Sequence, residues 1–216
     1  MSLEDELRAF REVQHRQDAA GARAVKERAA RELAESGQAE RALAVGARAP
    51  HFRLPSATGG TLALEDLLSA GAPVVLTFYR GAWCPYCNMT LRSLQRHHKD
   101  ITARGARLVA ISPQRPDESL SQSQKHQLAF DVLSDIGSAT ARRYGLAFEV
   151  SEELAAHYAR SGLDLERVND GHARVLPIPA TYVIDRSGTV RWAFVDTDFT
   201  VRAEPADILA ALDALG

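Results

Sequence analysis

Phe78-Tyr79-Arg80-Gly81-Ala82-Trp83-Cys84-Pro85-Tyr86-Cys87 contains both cysteines of the chain, spaced C-x-x-C. The apolar run Val74 to Tyr79 leads into it without polar alternation, the pattern of a strand covered on both faces. Leu91, Leu94, His98 and Ile101 follow at helical spacing and predict one helix from about Pro85 to Arg104, stopped by Gly105. Pro85 then sits at N1 and Cys84 at the N-cap. Strand, loop, cysteine pair and helix form the layout of a dithiol redox site. A thiolate attacks where a thiol does not, and the free N–H groups and dipole of a helix N-terminus favour the anion. Arg80 adds a positive charge if the loop folds back. Cys87 falls in the first turn, beneath Cys84 and less exposed. Cys84 is therefore expected to be the nucleophile and Cys87 the resolving thiol, the two closing a small disulfide that a partner dithiol reopens by exchange.

Outward from this centre, Arg107 to Ile111 reads as a second buried strand, so strand, helix and strand make one right-handed crossover. Phe130 to Leu133 is a third strand, and Ser138 to Tyr144 a short helix closed by Gly145. Residues 150–176 read as an insertion, with one helix around Leu154 and Tyr158 and a turn at Asn169-Asp170-Gly171. Thr181 to Ile184 is a strand turned by Asp185-Arg186-Ser187-Gly188, with Asp185 a turn residue. Thr189 to Val195 returns antiparallel, with Val190, Trp192 and Phe194 expected on one face. Pro205 opens a last helix. On the N-terminal side, His51 to Leu54 is a short edge strand, Thr58-Gly59-Gly60-Thr61 a turn, and Leu64, Leu67 and Leu68 belong to a short helix. Pro177-Ile178-Pro179-Ala180-Thr181 leads straight into a strand. The Ile178–Pro179 bond is the expected cis bond, placing Pro179 opposite the cysteines, where it blocks zinc capture and leaves a backbone edge for a disulfide partner.

Residues 1–45 are rich in Ala, Glu, Arg and Gln and form a helical extension, with Leu3, Leu7, Phe10 and Val13 on one face. That thin stripe packs either on the chain's own domain or on a second copy as a homodimer arm. Residues 46–216 form the core domain. The 216 residues suffice for one domain with a substantial core. The formal net charge of -2 and the scattered arginines point to neither nucleic acid nor an anionic membrane. No apolar run approaches the ~20 residues of a membrane span, and the acidic N-terminus lacks the apolar core of a signal peptide. Two cysteines are no disulfide scaffold, so a cytoplasmic location is expected. A zinc site needs two further ligands, and His97 and His98 lie turns away, read as satisfied or solvated. No metal or cofactor is called for.

Trp83-Cys84-Pro85-Tyr86-Cys87 resembles the active-site motif of the thioredoxin superfamily, and Ile178-Pro179-Ala180-Thr181 its cis-proline segment. Gly46-Ala47-Arg48-Ala49-Pro50-His51-Phe52, Leu108 to Pro113, Val132-Leu133-Ser134-Asp135 and Thr181 to Asp185 with Gly188 resemble the peroxiredoxin-like (alkyl hydroperoxide reductase / thiol-specific antioxidant) branch, over roughly residues 46–213. The resemblance implies a thioredoxin-like α/β fold, a central mixed sheet flanked by helices. It also implies reduction of hydrogen peroxide or organic hydroperoxides, with Cys84 peroxidatic, Cys87 resolving, and a thioredoxin-type or low-molecular-weight thiol as reductant. Two positions depart from the family pattern P-x-x-x-T-x-x-C: Thr77 and Gly81 stand where it places Pro and Thr. Its second-site arginine falls near Pro179. These departures favour a thiol–disulfide oxidoreductase acting on protein or small-molecule disulfides. The surrounding segments favour the peroxidase, and a redox-sensing binding protein is a third reading. Around the pair, Arg80, Trp83 and Tyr86 are candidate substrate- or partner-binding residues, Trp83 as a lid and Tyr86 exposed in its loop. Ser112, Pro113 and Gln114 either line the site or form a plain loop.

Overall fold

The computed structural model describes residues 2–172 and 174–216. In chain order the helices are α1 (Leu3–Gln17), α2 (Ala20–Glu35), α3 (Leu64–Ser69), α4 (Pro85–Arg96), α5 (His98–Ala103), α6 (Pro116–His126), α7 (Ala139–Arg143), α8 (Glu152–Arg160), α9 (Leu165–Val168) and α10 (Pro205–Asp213). The strands are β1 (Arg53–Pro55), β2 (Thr61–Ala63), β3 (Val74–Phe78), β4 (Arg107–Ser112), β5 (Asp131–Ser134), β6 (Ala147–Glu149), β7 (Val175–Pro177), β8 (Ala180–Ile184) and β9 (Val190–Val195). The central sheet runs β5-β4-β3-β8-β9. Strands β3, β4 and β5 are parallel, whereas β8 lies antiparallel to both β3 and β9. This is the mixed sheet flanked by helices that the sequence predicts.

Because side chains alternate along a strand, the sheet buries two faces. Val75, Leu108, Ala110 and Val183 pack with Leu91 and Leu94 of α4, Ile101 of α5 and Ile208 of α10. Leu76, Phe78, Val109, Ile111, Tyr182 and Ile184 pack with Leu64 and Leu67 of α3 and with Tyr144. A third, smaller cluster joins Val150, Leu154, Leu165, Val168 and Leu176, with Val25 and Ala29 of α2 and Trp83 against it. The segment read as an insertion thus has its own core and meets the cysteine loop.

Helix α1 lies on its own domain. Leu3 and Leu7 are buried in the core and Phe10 packs against it. The Glu204 carboxylate accepts the N–H groups of Leu3 and Glu4, an anion where the helix N-terminus attracts one. Glu6 pairs with Arg96 of α4. The apolar stripe of α1 is therefore occupied within the chain from Leu3 to Phe10, while Val13 at its end is exposed. Among the described residues no helix is long and apolar enough to cross a membrane.

Three local expectations are corrected. The helix after the cysteines is not continuous but breaks at His97 (φ -98, ψ 5). The ring Nδ1 of His97 lies 2.9 Å from the Ser93 carbonyl, which its backbone N–H also shares with Leu94, so the ladder loses its regular step. Val190 does not share a face with Trp192 and Phe194. Val183 pairs with Trp192 and Ile184 with Val190, so Arg191 is the extra residue of a bulge, and a bulge breaks the two-residue period. Val190 packs on the β-face opposite to that of Trp192 and Phe194. Finally, Ile178–Pro179 is trans, there being no cis bond among the described residues. Pro177 pairs with Ala147 and the Ile178 N–H donates to Leu146 O at 2.8 Å. The chain already runs extended from β7 into β8, and trans, favoured at X–Pro by roughly 0.5–1 kcal/mol, continues that line.

Candidate active site

The loop between β3 and α4 is fixed from several sides. The Tyr79 N–H donates to Ile111 O, carrying the β3–β4 ladder one residue further. The Ala82 N–H donates to Oε1 of buried Gln114 at 2.5 Å, and Asn88 Nδ2 donates to Ala82 O at 2.8 Å. Gln122 Nε2 in turn donates to Asn88 Oδ1 at 2.8 Å. Gln114 is thus a structural pin of the loop. Gly81 is obligatory: a Cβ there would stand 2.4 Å from Trp83 Nε1 and 3.0 Å from Gln114 Cδ. The spacing at which a threonine is expected is occupied instead by the folded-over indole of Trp83.

Cys84 is the N-cap of α4 and Pro85 its N1 residue, as the sequence predicts. Both thiols are free and both cysteines are fully buried, so the expected difference in exposure is absent. The Cys84 side chain makes no capping hydrogen bond to the helix. Its sulfur is instead in hydrogen-bond contact with that of Cys87. Burial, then this hydrogen bond and the Cys87 charge, push the Cys84 thiol well above its ordinary range. Burial opposes an anion at Cys87 too. There the Cys84 S–H, the Arg202 and Arg80 guanidiniums and the Arg80 backbone N–H outweigh it and hold the thiol well below the ordinary range. Arg202 Nη2 lies 3.6 Å from Cys87 Sγ. These surroundings favour the negative charge of the reduced pair on Cys87, whereas cap position alone places it on Cys84; an N-cap side chain gains from the helix end only when it faces the free N–H groups.

Arg80 is 5 % exposed and Arg202 9 %. The Arg80 guanidinium lies between two rings, 4.7 Å from the Trp83 centroid and 4.0 Å from that of Phe199. Burial works against its charge, but Tyr158, Cys84 and Cys87 more than offset it, so Arg80 stays a cation. Arg80 and Arg202 form no salt bridge with a carboxylate among the described residues. Sequence reading finds Arg80 but misses Arg202, which reaches the pair from 115 residues away on a loop with no motif. Tyr86 is buried, not exposed: Phe10 of α1 meets its ring edge-on at 5.2 Å and Phe199 at 5.7 Å. His98 stacks near Phe130, and neither His97 nor His98 contributes to the pair. No group of three or more His, Cys, Asp or Glu suited to a metal occurs among the described residues.

A cleft of about 830 Å³ opens between α2, α8 and the loop, with Arg80, Trp83, Pro85, Tyr86, Pro179 and Phe199 among its lining residues. Cys84 and Cys87 are fully buried next to these lining residues in the chain and do not themselves line the cleft. Arg80 Nε and Trp83 Nε1, both buried, have no hydrogen-bond acceptor.

The AhpC/TSA family pattern matches residues 45–193. A Mycobacterium tuberculosis protein that carries a peroxiredoxin name is 33% identical over 93 residues, 43% of this chain and 58% of the relative. The chloroplastic peroxiredoxin Q of Populus jackii is 26% identical over 146 residues, 68% of this chain and 57% of the relative. The chain thus spans somewhat over half the length of these relatives. The structure of peroxidoxin BcpB from Mycobacterium tuberculosis has a similar fold, with a TM-score of 0.62 at 23% identity over 80% of this chain and 97% of the other. A Chlorobium tepidum chain described as a thiol:disulfide interchange protein DsbE gives a TM-score of 0.54 at 26% identity, over 79% and 99%. The fold is that of the thioredoxin-like peroxiredoxins. With its pattern match covering well over half of its residues, the chain belongs to the AhpC/TSA family.

Proposed function

We propose that the protein is a thiol-dependent peroxidase that reduces hydrogen peroxide or organic hydroperoxides through Cys84 and Cys87. The observation that carries this reading is the buried, mutually hydrogen-bonded thiol pair facing two guanidiniums. Cys84 lies between Trp83 and Pro85, which wall the cleft, whereas Cys87 faces Arg202; Cys84 is the side from which a peroxide arrives. Since the sulfurs are buried, Trp83 or the first turn of α4 shifts to admit it. The Cys84 proton passes to Cys87, and the Cys84 thiolate attacks the terminal peroxide oxygen. The O–O bond breaks and Cys87 returns the proton to the leaving alkoxide. The products are Cys84 sulfenic acid, an alcohol or water, and Cys87 thiolate, so atoms and charge balance. Cys87 thiolate then attacks the sulfenic sulfur, releasing hydroxide and closing the disulfide. A thiol reductant, thioredoxin-type or of low molecular weight, restores the pair by exchange. The Arg80 Nε–H and the Trp83 Nε1–H, both without acceptors, supply the donors that the family draws from Thr and its second arginine.

The test is peroxide consumption with thioredoxin and its reductase or with a small thiol. We expect turnover in the wild type and none in Cys84→Ser. Turnover of insulin disulfide without peroxide consumption would instead support a thiol–disulfide oxidoreductase, the reading favoured by Gly81, Pro179 and the likeness to the interchange protein. Absence of both, with slow reversible oxidation, leaves the sensor. The cytoplasm, where such reductants operate, is the compartment this chemistry suits. A homodimer through the arm would rest on α2, which has no buried residue.

A further inference from the structure

The two arginines have a consequence for the oxidised protein. In the reduced state their counter-charge is the thiolate of the pair. Disulfide formation removes that anion and leaves two buried guanidiniums without an acidic partner among the described residues. A buried charge stripped of its partner is strongly destabilising, so the oxidised site favours any anion that can reach it. Arg80 provides the route: it is 5 % exposed, lines the 830 Å³ cleft, and has a buried Nε with no acceptor. Both cysteines are wholly buried, and Trp83 and Pro85 on either side of Cys84 line the cleft, so a donor must be small enough to enter it.

We propose that the electron donor of the oxidised protein is a low-molecular-weight thiol carrying a carboxylate or comparable anionic group, bound by Arg80 in the cleft. This rests on the reading of Cys84 and Cys87 as a redox pair and specifies its reductant. The donor's thiolate attacks Cys84 Sγ and the Cys84–Cys87 bond breaks. Cys87 leaves as the thiolate, because the lower-pKa thiol is the better leaving group and Arg202 receives the charge. A second donor thiolate attacks the mixed disulfide and releases Cys84, which takes up a proton. Two donor thiols are oxidised to one donor disulfide, and the protein gains two electrons.

The experiment prepares the disulfide with diamide, so that it does not depend on peroxide activity. Its reduction is followed by stopped-flow tryptophan fluorescence with mercaptopropionate, mercaptoethanol and cysteamine, rates being expressed per thiolate. We expect the anionic thiol to exceed the cationic one by about tenfold or more, and added sulfate to slow it. In Arg80→Met the preference should collapse, while Arg80→Lys, which retains the charge, should keep part of it. Equal rates for the three thiols, or an unchanged preference in Arg80→Met with circular dichroism like the wild type, would overturn the proposal. So would faster reduction by thioredoxin at equal thiolate concentration. Should Arg80→Met not fold, sulfate competition on the wild type decides alone. If diamide forms no disulfide, the redox-pair reading itself fails, an outcome distinct from loss of selectivity.

Discussion

The surroundings of the pair favour the charge on the sulfur of Cys87 over that of Cys84, and this was not legible in the sequence. Position at a helix N-cap was readable from Cys84-Pro85; the direction of the side chain was not, nor was the approach of Arg202 from a distant loop. Thiolate ultraviolet absorbance should therefore titrate well below free cysteine in the wild type. Cys84→Ser should retain that early titration and Cys87→Ser should lose it; the reverse would return the charge to the cap residue. Gly81→Ala should destabilise the protein by about 1–3 kcal/mol in urea unfolding, because overpacking forces neighbours aside and Trp83 Nε1 stands 2.4 Å from the new methyl. Asp185, a turn residue as expected, accepts from the Ser187 hydroxyl, from the Thr189 and Ser187 N–H groups and from Arg191. Burial works against its charge, but these partners outweigh it and draw its pKa down to about 2. The folded value lies below the unfolded ~3.9, so the stabilisation is complete above that pH and is lost as pH falls through about 2. Asp185→Asn should cost about 2 kcal/mol at neutral pH, with the gap to wild type narrowing as pH drops from 4 to 2.

Among the elements, the strands were the most legible. Val74 to Phe78 and Arg107 to Ile111 are apolar on both sides because both sheet faces are covered, and no other local structure suits such short unbroken runs. The break at His97 was hidden because it comes from one imidazole competing for one carbonyl. The bulge at Arg191 was hidden because alternation assumes an unbroken ladder. For α1, the spacing of Leu3, Leu7 and Phe10 gave the apolar face, while its partner became visible only once α4 and Glu204 were placed. That partner makes α1 a cover for the site: Phe10 rests on Tyr86, and Tyr86 adjoins the cysteines. Phe10→Ala should speed alkylation of the reduced pair by iodoacetamide by about tenfold, the equivalent of roughly 1.4 kcal/mol less protection against opening. An unchanged rate would mean that α1 plays no part in shielding the thiols.

At the scale of the molecule, the family pattern covers residues 45–193, while several features that distinguish this chain lie outside it. Helices α1 and α2 line the cleft, Phe10 of α1 covers Tyr86, and the loop before α10 delivers Arg202. The order of motifs along the chain was enough to read the fold; the charge arrangement was not, since Arg80 and Arg202 meet only in three dimensions. The departures at Gly81 and Pro179 acquire a physical sense there. Trp83 occupies the volume over Gly81, and two arginines from other positions stand by the thiols. The most direct measurement exposes reduced protein to one equivalent of peroxide and determines the mass of each variant. The account predicts loss of two hydrogens in the wild type, a slower gain of one oxygen confined to Cys84 in Cys87→Ser, which lacks the proton acceptor, and no rapid change in Cys84→Ser. Rapid gain of oxygen on Cys87 in Cys84→Ser, with Cys87→Ser inert, would contradict it.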